Sequence, residues 1–349
     1  MLIPFLLSLL ISLAICFIAL LVFKKLNIVD IPDGVRKIHK GKVPLGGGVA
    51  LFLSASIVFL VFSEYFSDRS NSVFIYQILT IWYISIIIIA LGLVDDVRPL
   101  PISLRIIVQI LASWLVIIFS DVYLVELGNL LGLGSIYLGE LGIPITIFMV
   151  VGLCNAFNML DGMDGLVTLV VSIAFTGIAT LTFLLGITNL IFLISACCLS
   201  FLIFNLGLLG QRWKMFLGDS GSMWLGFIVA WYLVALSQGD NKIINPVTAL
   251  WFVLLPLIDA LSTFLSRIWK RKPIFVADRT HIHHILLDSG LEKWKVLAIF
   301  STVSILSTMF GIFSIIYPIK DYYLFYGFLT LWFFYFLLIK FPYYNAEDL

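Results

Sequence analysis

Long apolar runs broken by short polar islands are the dominant pattern along this chain. A helix that crosses a membrane needs roughly 20 mostly apolar residues, with about 17 to 25 tolerated. Eleven segments fit: 2–23, 45–63, 75–94, 103–120, 141–155, 166–185, 187–206, 220–236, 247–267, 295–317 and 322–340. The fifth is short and contains Pro144, which predicts a kinked or partly re-entrant segment. The sixth and seventh are parted by little more than Gly186, a tight turn. No gap is long enough for a soluble domain, and no internal repeat is visible. The expected fold is therefore an all-α polytopic membrane protein of about eleven transmembrane helices, one integral membrane domain over 1–349.

Basic residues concentrate in loops on the cytoplasmic side. Of the 21 Lys and Arg residues, all but Arg69, Lys242 and Lys320 fall on alternate loops beginning with 24–44. That asymmetry puts the N-terminus outside and the C-terminus in the cytoplasm, and it would be scrambled by one missed helix. The cytoplasmic loops are then 24–44, 95–102, 155–165, 207–219 and 268–294.

Composition agrees with the pattern. Hydrophobic residues make up 62%, charged residues 12%, and mean hydropathy is +1.13, well beyond a soluble domain. The net charge of +1 gives no electrostatic case for nucleic acid. Cys16, Cys154, Cys197 and Cys198 lie in or beside apolar runs without zinc-type spacing, which suits buried free thiols. The first apolar run lacks a basic leader and reads as a retained helix.

Four polar islands carry the candidate chemistry, and all fall on the cytoplasmic side. Asp95-Asp96 ends the third apolar run, where two carboxylates oppose the helix dipole and call for a compensating cation or partner. The stretch 155–165 holds Asn155, Asn158, Asp161 and Asp164 at successive i, i+3 spacings, so each pair would be neighbours on a helix. A straight helix drifts by about 60° per step of three and cannot aim all of them at one point. Gly162 and Gly165 let the chain turn there; Asn, Asp and Gly are also ordinary turn formers, but this concentration exceeds what capping needs. Gly218-Asp219-Ser220-Gly221 opens the eighth run; Asp219 suits either an N-cap or a hard cation such as Mg²⁺. The fourth island is His281-Ile282-His283-His284, three of the four histidines in the chain. Their spacing is not that of a zinc hydrolase, and a His/Arg group beside carboxylates suits a diphosphate. Asp259, after Pro256 in the ninth run, is an intramembrane acid that fits a functional or a hydrogen-bonded structural role.

These motifs, with Pro44-Leu45-Gly46-Gly47-Gly48 and Asp278-Arg279, run in one order along nearly the whole chain. In that order the chain resembles the bacterial polyprenyl-phosphate N-acetylhexosamine-1-phosphate transferases of glycosyltransferase family 4. It is most similar to the undecaprenyl-phosphate N-acetylglucosaminyl-1-phosphate transferase branch and, at greater distance, to the phospho-muramoyl-pentapeptide translocase. The His-x-His-His form points away from the translocase. The resemblance implies transfer of an N-acetylhexosamine-1-phosphate from a UDP-sugar, UDP-GlcNAc first, to undecaprenyl phosphate with release of UMP. Such a step opens assembly of a cell-surface polysaccharide at the bacterial inner membrane. It further implies that Asp219 and Asn158 hold Mg²⁺, with Mn²⁺ as a substitute, on the diphosphate. Asp95 and Asp96 would face the lipid phosphate, Asp164 the uridine, and Asp161 would support the site. His281, His283, His284 and Arg279 would grip the diphosphate; Asn155, His39 and Lys42 complete the substrate-binding set. The implied partners are the UDP-N-acetylhexosamine, undecaprenyl phosphate and membrane lipids, without nucleic acid and with a homodimer as an option. One departure is Pro99, where many transferases of this branch carry a third acid; Asp-Asp-Val-Arg-Pro-Leu resembles relatives that start O-antigen with other N-acetylated hexosamines. A secondary transporter is the rival class, but it would place its polar site near the midplane and often shows inverted repeats.

Overall fold

The computed structural model describes residues 2–32, 41–67, 72–185, 191–239, 242–271 and 280–341. It is helical almost throughout: α1 Leu2–Lys25, α2 Gly47–Ser67, α3 Ser72–Val97, α4 Ile102–Ser120, α5 Gly142–Leu160, α6 Leu166–Leu184 and α7 Ile191–Asn205. There follow α8 Gly218–Ser237, α9 Pro246–Phe252, α10 Leu254–Trp269, α11 Ile282–Asp288, α12 Lys293–Ile316 and α13 Asp321–Tyr335, the last continued by a π-helical segment Phe336–Lys340. The described residues also hold two short antiparallel pairs, β1 Val29–Asp30 with β2 Val43–Pro44 and β3 Glu126–Gly128 with β4 Ile136–Tyr137, and two 3-10 turns, Gly139–Leu141 and Gln211–Trp213.

All eleven apolar segments carry helix among the described residues. Among the described residues, eight helices are long and apolar enough to cross a membrane, or nine if α9 and α10 together form one bent span. Two further apolar helices are described over shorter stretches, 47–62 of α2 and Ile191–Asn205 of α7. The kink expected at Pro144 does not occur. Proline sits in the first turn of α5, where its missing N–H costs nothing, and the helix runs on to Leu160. The break falls instead between α9 and α10, bent by 92°. Pro256 clashes there with the carbonyl four residues back, at Phe252, where α9 stops.

α8 is the axis of the fold. It is buried along its whole length and packs against α2, α3, α5, α6 and α9. Small residues allow this. A side chain on Gly92 of α3 would overlap the backbone of Ser220, and one on Gly48 of α2 the backbone of Gly221. A side chain on Gly226 would come within 2.9 Å of Cys154 Cα on α5, whose Sγ donates to the Met223 carbonyl. The Pro44–Gly48 motif is part of the same packing: Phe216 N–H donates to Pro44 O, and Gly47 and Gly48 N–H donate to Phe216 O and Leu217 O. With no hydrophobic drive between helices in lipid, such close contact is what holds helices together.

Candidate active site

All four polar islands meet at one end of the bundle. The opposite end has its own polar network, in which Lys242 pairs with Glu126, and Asp321 accepts from Asn245 and from the Asn129 N–H. The two ends of α13 land in different networks, Asp321 in this one and Lys340 beside Asp259 and Thr280.

The N-terminus of α8 starts at Gly218, whose φ of +76° suits glycine, and the helix has no cap from its own chain neighbours. Asp96 supplies one from α3. Its Oδ1 accepts from Asp219 N–H at 2.7 Å, and its Oδ2 accepts from Ser220 Oγ at 2.8 Å and Ser220 N–H at 3.2 Å. This resolves why an acid sits at the negative end of α3: the positive end of α8 meets it, an interaction worth roughly 0.3–2 kcal/mol. Asp95 turns the other way. It accepts from the Leu100 N–H at 2.6 Å and from Arg105 at 2.8 Å, and lies within hydrogen-bonding reach of Asp219.

The acid-amide stretch straddles the end of α5. Asn158, on the helix, donates through Nδ2 to Asp219 Oδ1 at 2.8 Å and to Ser222 Oγ at 3.0 Å, which leaves its own carbonyl oxygen for another partner. Asp161 ends the helix, and its carboxylate accepts no hydrogen bond among the described residues. Desolvation, then the charges of Asp219, Asp96 and Asp164, push this carboxyl well above the usual carboxylate range. Asp164 faces two lysines, Lys214 at 2.7 Å and Lys293 at 3.4 Å. Gly165, at φ +80°, donates to Asn205 Oδ1, and Asn205 in turn holds the Met215 carbonyl, tying this turn to the segment before α8.

The histidines close over that turn. A side chain on Gly162 would meet Nε2 of both His283 and His284. His283 is 0% exposed, lies between His281 and His284, and among the described residues has no hydrogen-bond partner on either ring nitrogen. Burial, then His284, hold it well below the usual imidazole range, so it is neutral. His281 is anchored through Nδ1 to Asp259 Oδ2 at 2.7 Å.

The structure thus brings together Asp95, Asp96, Asn158, Asp161, Asp164, Asp219, His283 and His284, with His281 stacked behind. Asn155 stands apart: its Nδ2 donates to Gln109 and to the Val151 carbonyl, within the helix packing. Lys42 is exposed next to β2, and His39 and Arg279 lie outside the described residues. Sequence reasoning places Ser222 in the motif that opens the eighth run without giving it a role, and reads Arg105, Lys214 and Lys293 only as loop charges. Lys214 carried a signal, since it sits between Trp213 and Met215 and is in fact buried.

An array of hard oxygen donors with excess negative charge fits a divalent cation. Asp219, the free Asp161 carboxylate and the Asn158 carbonyl oxygen are the donors that would hold it. Among the described residues no three His, Cys, Asp or Glu side chains form a complete protein cage. Mg²⁺ needs none, because it keeps waters and takes substrate phosphates.

The profile of glycosyl transferase family 4 matches residues 78–237, from α3 to the end of α8. Over 303 residues, 85% of this chain, it is 32% identical to an undecaprenyl-phosphate alpha-N-acetylglucosaminyl 1-phosphate transferase of Escherichia coli (strain K12), covering 79% of that protein. Proteins of that same name from Yersinia pestis and Haemophilus influenzae are also 32% identical, over 86% and 91% of this chain and 80% and 89% of their own lengths.

Proposed function

This chain belongs to glycosyl transferase family 4, and from that premise we propose that it transfers N-acetylglucosamine-1-phosphate from UDP-GlcNAc to undecaprenyl phosphate, releasing UMP, at a Mg²⁺-dependent cytoplasmic site. The observation that carries this reading is the convergence of the acid-amide turn, the α8 N-terminus and the histidines at one end of the bundle. Phosphoryl transfer is mostly positioning and charge neutralisation, and this is what such a cluster offers. Mg²⁺, when bound, would neutralise the diphosphate. Asp219, Asn158 and Asp161 are the residues that would hold it, and Asp164 with its lysines fits the nucleotide end.

The engagement of Asp95 by Arg105 and Leu100, and of Asp96 by α8, supports direct attack by the lipid phosphate. A carboxylate already bound on both oxygens is a poor nucleophile, and an ionised lipid phosphate needs none to act for it. UDP-N-acetylhexosamines differing at one sugar carbon test the donor. With purified protein and undecaprenyl phosphate, kcat/KM should be highest for UDP-GlcNAc; a larger value for another UDP-N-acetylhexosamine would reassign the sugar within the same reaction.

The inner-membrane location and the cytoplasmic face rest on the bias of basic residues. Cysteine at Leu133, 90% exposed in the β3–β4 loop, should label from outside intact cells with an impermeant thiol reagent. Cysteine at Arg212, exposed near the site, should label only after permeabilisation. The reverse pattern would invert the protein and place the site where no nucleotide sugar reaches it.

A further inference from the structure

Asp259, Tyr335 and Lys340 form a buried network that the transfer chemistry described above does not use. Lys340 is 0% exposed, although it ends the last apolar helix. Its Nζ donates to Asp259 Oδ1 at 2.8 Å, to Thr263 Oγ1 at 2.9 Å and to the Thr280 carbonyl at 2.6 Å, so each of its N–H groups has a partner. Tyr335 Oη donates to the same Asp259 oxygen at 2.6 Å. The Ile282 N–H reaches it at 3.2 Å. Asp259 Oδ2 is left for His281 Nδ1, at 2.7 Å. Three partners of the network, Thr280, His281 and Ile282, are the entry to the helix that carries the histidines.

The backbone is shaped for this. Residues five apart on an α-helix diverge by about 140°. A π turn closes through i→i+5 hydrogen bonds and brings them onto nearly the same face. The π segment Phe336–Lys340 begins one residue after Tyr335, and it lets Tyr335 and Lys340 grip one carboxylate oxygen together.

We propose that Asp259, Tyr335 and Lys340 are positioning residues for His281: they fix Nδ1 as its donating nitrogen and reserve Nε2 for contact with the phosphates. A carboxylate held by Lys340 and Tyr335 can only accept from the ring, so Nδ1 must carry the proton. Second-shell carboxylates set histidine tautomer and orientation in metal sites by the same means, and losing one costs about 10–100-fold. The consequence for turnover rests on the transferase reading; the position of the proton does not.

The test is the ¹⁵N–¹H spectrum of histidine-labelled protein in detergent, which has only four histidines to resolve, with His281 assigned by its loss in His281→Gln. Wild type should show Nδ1 of His281 protonated at neutral pH. In Asp259→Asn the carboxamide can donate to the ring, and the proton should move to Nε2. The same variant should lose about 10–100-fold in kcat with KM for the UDP-sugar within about twofold of wild type. Tyr335→Phe, a conservative change, should keep the wild-type tautomer with a smaller loss. If Asp259→Asn does not fold, the wild-type and Tyr335→Phe spectra still decide. An unprotonated Nδ1 in wild type, or a folded Asp259→Asn with wild-type kcat, would overturn the proposal. A correct tautomer in a protein that turns over no UDP-sugar would instead count against the transferase reading alone.

Discussion

Asp219→Asn should yield a folded protein whose turnover is down by about 10²–10³, the range for losing one preorganised electrostatic contact. The stability side follows from the geometry. The side chain of Asp219 does not cap α8; that work falls to Asp96, which accepts from the Asp219 N–H and from Ser220. An Asn at 219 keeps an oxygen for the Asn158 Nδ2, and it removes one negative charge from beside Asp95 and Asp161. The activity side follows from charge. A neutral amide is a far weaker ligand for a hard divalent cation than a carboxylate. Higher Mg²⁺ should therefore restore part of the rate. Asp96→Ala should do the opposite. It strips the cap and the dipole partner from α8 and should lower thermal stability, since a lost cap alone costs ~0.5–2 kcal/mol. Wild-type turnover in folded Asp219→Asn would remove this carboxylate from the metal site.

Gly92→Val should prevent assembly of the site altogether. The added side chain would overlap Ser220 Cα and N, which are backbone atoms at the first turn of α8. No rotamer change relieves that contact, so α8 must shift away from α3 and take Asp219 with it. The expected cost is at or above the top of the ~1–3 kcal/mol usual for overpacking. Gly48→Val should behave alike, because it meets Gly221 from the other side. Gly152→Ala is the control. It lies in α5 with nothing within 4 Å of an added Cβ, and should be neutral or stabilising by up to about 1 kcal/mol. Thermal melts in detergent by tryptophan fluorescence would separate the three. Gly92→Val melting with wild type would mean that α3 and α8 are not in backbone contact.

Much of this was legible in the sequence because a bilayer imposes a simple code. The described part of each apolar run is helical, and the polar islands that interrupt them gather at one end of the bundle. Partnership across the chain was not legible. Asp96 and Ser220 are 124 residues apart, so a sequence shows an acid at the wrong end of a helix and not the helix end that satisfies it. Lys340 looked like one more cytoplasmic charge, yet it is buried on Asp259. Pro144 and Pro256 illustrate the same limit: each is the third residue of its helix, α5 or α10, but only Pro256 follows another helix, α9, within one apolar run, and only there is the run bent. The depth of His283 depends on Gly162, a contact between α11 and a turn distant in sequence that no local pattern encodes.

The central claim is that one end of this bundle joins a nucleotide sugar to a lipid phosphate, and UMP release by the purified protein tests it most directly. UDP-GlcNAc should give UMP only when undecaprenyl phosphate and Mg²⁺ are both present, with lipid diphosphate sugar formed in equal amount. UMP release that ignores the lipid would contradict direct transfer, and counterflow of a solute in proteoliposomes with no UMP at all would make the protein a transporter.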